Sequence, residues 1–174
     1  MSMIFIIGMP AVGKSYLAKQ LGKNFGFRCI DLDEYIETKT GNKIDEIFMK
    51  YGEGYFREVE TTCLSAIVKD NMGSDIIVAC GGGTPVYGTN MQLMKEHGCV
   101  VYIEAELAVL AERINNDDII RPMFLNAGDV MARLHQLYLE RKPYYELADQ
   151  KIGMNDISIN KLEKIITICT GKQY

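Results

Sequence analysis

GMPAVGKS, residues Gly8 to Ser15, follows the apolar run MIFII and leads into YLAKQL. A glycine, four residues, then Gly-Lys-Ser, set between a strand-like run and a helical one, is the pattern of a phosphate-binding loop. The glycines let the backbone curl so that its N–H groups face phosphate oxygens, and the helix N-terminus adds its positive end. In that geometry Lys14 reaches the β- and γ-phosphates and the Ser15 hydroxyl holds Mg2+. Ala11 and Tyr16 stand where small kinases more often have Gly and Thr. Ala11 is accommodated there if its φ is negative, and Tyr16, inside the helix, leaves the Ser15 hydroxyl untouched.

Around this loop the chain reads as one α/β domain over residues 1–174. Hydrophobic residues make up 48% and charged residues 24% of the chain, ordinary for a globular protein with a real core. A net charge of −4 argues against nucleic acid as the main partner but leaves room for small anions held by a local cluster of Arg and Lys. No apolar run approaches the ~20 residues of a membrane helix, and the first residues carry no basic or Ser/Arg-rich targeting pattern. The expectation is a cytoplasmic monomer with no membrane partner. Cys29, Cys63, Cys80, Cys99 and Cys169 are odd in number and never spaced C-x-x-C. They are expected to be reduced thiols, not a zinc site or a disulfide framework.

Strand-length apolar runs alternate with helix-period segments. The strands are expected at Ile4–Ile7, Arg28–Asp31, Ile76–Cys80 and Cys99–Ile103, with a weaker fifth near Gln150–Met154. Helices are expected at Lys14–Phe25, Tyr55–Lys69, Asn90–His97, Leu107–Ile114, Val130–Lys142 and Ile159–Cys169. This alternation implies a parallel sheet covered on both faces, with ligands beyond the carboxyl ends of its strands. Thr38–Gly54 is rich in Gly and charge, with short helical pieces. The polar stretch 115–128, containing Arg121, has the look of a mobile lid. An Arg there would close over the γ-phosphoryl and offset its developing charge.

The acceptor side is read from several further motifs. CIDLDEYIE ends a strand with two carboxylates, and alternation along the strand would point Asp31 and Asp33 the same way. Asp31 suits a metal held through water, and it substitutes for the acid missing at the end of the third strand. Asp33 suits a hydrogen bond or proton from an attacking alcohol, or equally a cap on a helix starting at Glu34. In YFREVE, Phe56, Val59, Cys63 and Ile67 form the buried stripe. Arg57 and Glu60 are i,i+3 neighbours, so the Glu either orients the guanidinium for a carboxylate or is one half of an ordinary surface pair. Gly81, Gly82 and Gly83 after the third strand either let a ligand lie against the main chain or form a flexible turn. Arg141 falls in step with Val130, Leu134 and Leu137 on the inward face of its helix. Pro143 ends that helix at Lys142. An inward Arg at a helix end needs an anionic partner.

In order, GMPAVGKS, DLDEYIE, IDEIFMKYGEGYFREVE, GGG, RPM and ERKPYYELAD resemble the shikimate kinases from Ile4 to about Asp149. The resemblance implies a P-loop, nucleoside-monophosphate-kinase-like three-layer fold with a five-stranded parallel sheet and a mobile lid. It implies transfer of the γ-phosphoryl of ATP, with Mg2+, to the 3-hydroxyl of shikimate, a step toward chorismate and the aromatic amino acids. It assigns the loop residues Gly8, Ala11, Val12, Gly13, Lys14, Ser15 and Tyr16 to the nucleotide, with Arg113 flanking adenine and Arg121 reaching the phosphates from the lid. Ser15 and Asp31 would hold the metal. Asp33, Arg57, Gly81, Gly82, Gly83 and Arg141, spread over an acceptor region at about 33–60 and beyond, would bind shikimate. Asp33 is then the candidate base, Arg57 and Arg141 the carboxylate ligands, and Glu60 the residue that orients Arg57. Lys14, Asp33 and Arg121 would carry catalysis. Many relatives place a further Arg near the fifth strand against adenine, and MNDISIN, Met154–Asn160, has none. The alternatives are a kinase for another small hydroxy-acid such as gluconate, or a P-loop nucleotide-binding module without turnover.

Overall fold

The computed structural model describes residues 2–116, 124 and 129–173. Strand β1 (Met3–Gly8) is buried at every position. Residues pointing to opposite faces of a strand can all be buried only if helices cover both faces, which is why MIFII has no polar alternation. β2 (Arg28–Asp31), β3 (Ile76–Ala79), β4 (Cys99–Glu104) and β5 (Gln150–Gly153) complete a five-stranded sheet in the order β2-β3-β1-β4-β5. Every pairing is parallel, and Phe5 lies opposite Val78 on one side and Val100 on the other. The chain leaves β1 toward one edge and after β3 crosses to the other. The loop following β1 therefore opens at the reversal of strand order, where a crevice forms beyond the strand ends.

The helices are α1 (Lys14–Phe25), α2 (Leu32–Thr40), α3 (Ile44–Asp70), α4 (Asn90–His97), α5 (Leu107–Asn115), α6 (Val130–Tyr145) and α7 (Ile159–Thr170). Three local expectations are corrected. β2 stops at Asp31 and α2 starts at Leu32, so Asp33 is helical and strand alternation does not govern it. The charged stretch 38–54 holds short helical pieces, as expected: the end of α2 and the segment 44–51 that opens α3. Gly52, with φ 80 and ψ 174, is non-helical and separates that segment from the rest of α3, a conformation a glycine reaches without strain. α6 runs through Pro143 to Tyr145. Pro143 sits in the last turn, four residues after exposed Leu139, and beyond it Glu146 N still donates to Lys142 O at 2.9 Å. One helix bond is lost on the water side, which the terminus tolerates.

The third correction concerns thiols. Cys99 and Cys169 form a disulfide, with Cα atoms 5.3 Å apart, while Cys29, Cys63 and Cys80 are free. The first residue of β4 and the last turn of α7 meet because α7 returns along the sheet after β5. A separation of 70 residues gives no spacing signal. The expected lid at 115–128 begins at the end of α5, but 117–123, with Arg121, and 125–128 lie outside the described residues.

Candidate active site

The phosphate loop is built from the end of β1 and the start of α1. A Cβ on Gly8 (φ +149) would stand 2.7 Å from the Ile103 carbonyl oxygen, so the turn out of the sheet needs glycine. Gly13 precedes α1 with φ 96 and no side-chain cap, which leaves the first N–H groups of the helix to face the cleft. Ala11 has φ 63, against the expected negative value. It is the non-glycine residue in the left-handed region among the described residues, a conformation that costs an L-residue about 1 kcal/mol. Val12 is buried in the core, so only its backbone belongs to the loop. Tyr16 is 64% exposed and borders the cleft. Arg113 on α5 closes the loop from outside, its Nη1 donating to Ala11 O at 3.1 Å.

Lys14 Nζ donates to the carbonyls of Gly8 at 3.1 Å and Met9 at 3.0 Å. Burial lowers its pKa to about 8, and Asp33 nearby resists that fall. The Ser15 hydroxyl donates to Asp31 Oδ2 at 2.5 Å. The other oxygen of Asp31 accepts the N–H groups of Asp33 at 3.0 Å and Glu34 at 3.3 Å. Asp31, not Asp33, thus caps α2 and joins β2, the loop and α2 at one carboxylate. No group of three acidic, His or Cys side chains suited to a metal occurs among the described residues. A hydroxyl beside one carboxylate at a phosphate loop still fits Mg2+, which takes few protein ligands and completes its shell with water and phosphate.

The acceptor side is joined to this loop by one cavity of about 1110 Å³, bordered by Lys14, Ser15 and Arg113 at one end and Asp33, Phe48 and Arg57 at the other. The three glycines after β3 are all at its floor. None of them has a positive φ. What they supply is the missing Cβ. On Gly81 it would stand 2.7 Å from Glu60 Oε1 and 3.5 Å from Asp33 Oδ1, and on Gly82 it would stand 2.9 Å from Arg141 Nη1. On Gly83 it would run into the Arg57 guanidinium. The missing Cβ atoms leave room for Glu60, Arg57 and Arg141 to pack on the main chain, and the glycines themselves still border the open cavity where a ligand could lie against them.

Arg57 and Glu60 are both buried, so they are not a surface pair. Arg57 Nη1 donates to Glu60 Oε2 at 2.8 Å, and Thr84 Oγ1 donates to Glu60 Oε1 at 2.6 Å. Arg57 Nη2 donates to Glu53 at 3.1 Å. Asp33 is exposed as a residue, yet its carboxyl borders the cleft beside Gly81. Desolvation first, then Asp31 and Glu60, raise its pKa to about 6, with Lys14 and Arg57 opposing them. Arg141 is buried against Gly82, with no hydrogen-bond partner for Nη1, and it does not border the cavity directly.

Thr84, Tyr145 and Glu53 were not picked out from sequence. The Tyr145 hydroxyl donates to Gly82 O at 2.7 Å, and its ring stacks on Tyr102 with centroids 4.9 Å apart. A signal existed for two of them: Tyr145 is four residues after Arg141, and Glu53 four before Arg57, each on the same helical face. Thr84 offered none, because its partner is 24 residues away.

Residues 10–170 match the shikimate kinase family. A shikimate kinase of Sulfurihydrogenibium sp. (strain YO3AOP1) is 34% identical over 168 residues, covering 96% of this chain and 97% of that protein. One from Clostridium botulinum (strain Alaska E43 / Type E3) is 36% identical over 160 residues, covering 91% of each. The solved structure of shikimate kinase from Acinetobacter baumannii in complex with shikimate superposes with a TM-score of 0.84 at 28% identity, covering 97% of this chain and 92% of that one. A gluconokinase from Sinorhizobium meliloti 1021, 14% identical with a TM-score of 0.60, shares the fold alone. A family match over nearly the full sequence joins relatives more than a third identical over nine tenths or more of their length: the chain belongs to the shikimate kinase family.

Proposed function

We infer that this chain transfers the γ-phosphoryl of ATP to the 3-hydroxyl of shikimate, giving shikimate 3-phosphate for chorismate and aromatic amino-acid synthesis. The observation that carries the reading is the single cavity joining Lys14 and the open N-terminus of α1 to Asp33 and Arg57. One end has the chemistry of a polyphosphate site and the other that of a hydroxylated carboxylate.

In this mechanism Lys14 exchanges its carbonyl partners for phosphate oxygens. Their negative charge restores the ammonium that burial disfavours. The backbone N–H groups at the head of α1 receive the remaining phosphate charge. Ser15 and Asp31 are the residues to hold Mg2+, which when bound supplies offsetting charge at the transferring phosphoryl. Asp33, with its pKa near 6, is ionised at neutral pH and accepts the hydroxyl proton as the oxygen attacks. Arg57, oriented by Glu60, grips the acceptor carboxylate, and Arg141 adds its charge from beside Gly82. Arg121, in a lid at about 115–128, would reach the phosphates from above. The fold is used as one domain, with the acceptor region at about 33–60, in a cytoplasmic monomer. No helix among the described residues is long and apolar enough to cross a membrane.

The test is ADP release from the purified protein with Mg-ATP, with and without shikimate, the product being identified by phosphorus NMR. Shikimate-dependent release is expected, with gluconate giving none. ATP binding without turnover on either acid would overturn the reading in favour of a nucleotide-binding module.

A further inference from the structure

Arg57 carries two carboxylates, and they differ in how firmly they are held. Glu60 is fully buried and is tied a second time by the Thr84 hydroxyl at 2.6 Å. The Glu53 side chain is 65% exposed and meets Arg57 Nη2 at 3.1 Å. One cation between two anions is a group of net charge −1. That group repels an incoming carboxylate; Asp33 adds to the repulsion, and Arg141 beside Gly82 opposes it. Glu60 cannot leave without stranding a buried charge and a buried hydroxyl. Glu53 can leave into water. The residue before it is Gly52, whose φ 80, ψ 174 breaks the helix there, and nothing stands within 4 Å of where a Gly52 Cβ would be. The Glu53 side chain, which begins the second part of α3 and is largely exposed, has solvent to swing into.

We propose that Glu53 is a resident competitor for the acceptor site: it occupies the Nη2 donor of Arg57 and is exchanged, carboxylate for carboxylate, when the substrate binds. This deepens the reading of Arg57 as the carboxylate clamp and rests on it. The exchange makes Glu53 a specificity residue. A neutral polyol has no charge with which to displace a carboxylate from a guanidinium, whereas a planar carboxylate can take two parallel N–H groups where Glu53 takes one.

The experiment is isothermal titration of shikimate into the full chain and into Glu53→Gln, with Glu58→Gln, an exposed residue of the same helix, as the control. Removing the competitor tightens shikimate binding by about two- to fivefold, the range set by an exposed ion pair. Damage to the site would not raise affinity, so a gain separates competition from a structural role. An unchanged or weaker affinity in Glu53→Gln overturns the proposal. Arg57→Ala tests the underlying reading separately. If it leaves shikimate affinity intact, the clamp itself is wrong. If it weakens binding while Glu53→Gln brings no gain, only the competitor role falls.

Discussion

In the proposed mechanism Asp33 is the base, and its charge state is set by neighbours that disagree. Desolvation and the carboxylates of Asp31 and Glu60 push its pKa up to about 6, while Lys14 and Arg57 pull the other way. A base must be ionised to accept a proton, so turnover should fall as pH drops through about 6. The stability linkage runs in the opposite sense. The fold favours the protonated form, so the contribution of Asp33 is present below its ordinary pKa of 3.8 and is lost as pH rises through about 6. Because the residue is open to solvent, that contribution is small. Asp33→Asn removes the base without removing a stabilising charge. Its turnover should fall by a factor of about 10² to 10⁴, with a thermal midpoint at pH 7.5 no lower than the parent's. A rate that stays flat from pH 7 to pH 5, or a clear loss of thermal stability in the variant, would refute this account.

At the scale of the element, α3 does two jobs. Phe56, Cys63, Leu64 and Ile67 seat it on the core, while Arg57 and Glu60 bring a buried ion pair to the cleft. The pair depends on Thr84, which in turn has its carbonyl held by Asn90 Nδ2 at 3.0 Å. Glu60→Ala would leave the buried Arg57 guanidinium with only the exposed Glu53 as an ionic partner and leave the Thr84 hydroxyl unpaired. Loss of one partner from a buried pair costs about 3–5 kcal/mol where the charge is left alone; with Glu53 still bound the loss falls toward the lower end of that range, and shikimate KM should rise well before ATP KM does. Urea denaturation and steady-state kinetics read the two effects independently, and a variant with parental stability would place the pair on the surface in solution. Periodicity made the i,i+3 pairing legible in the sequence, along with the strands, the phosphate loop and most helix bounds. It could not make the burial legible, because that depends on contacts across the chain. The same limit explains Asp31 and Asp33. Both were singled out, but which one capped the helix depended on whether the strand ended before Leu32. Ala11 fits the pattern of the loop and still takes a positive φ, because the closure of the loop over Lys14 overrides the preference of the residue.

At the scale of the molecule, the sheet separates chemistry from one of its fastenings. β4 begins at Cys99 and ends at Glu104, so the bridge to Cys169 lies about 17 Å of strand away from the cleft edge. It ties the last helix to the sheet across 70 residues of chain. Closing a loop of that size restricts the unfolded chain by about 4 kcal/mol, which for a domain of this length corresponds to a shift in thermal midpoint on the order of 10 °C. Reduction by dithiothreitol should therefore lower the midpoint of the parent by that order and leave Cys99→Ser unaffected. At 25 °C the turnover of the reduced protein should stay near that of the oxidised one, since none of the groups that border the cavity is attached through the bridge. A parent whose midpoint ignores reductant would mean the two thiols are adjacent but unjoined. A loss of turnover on reduction at 25 °C would mean that α7 and the neighbouring strand β5 hold the cleft in shape, and the division between fastening and chemistry would have to be given up.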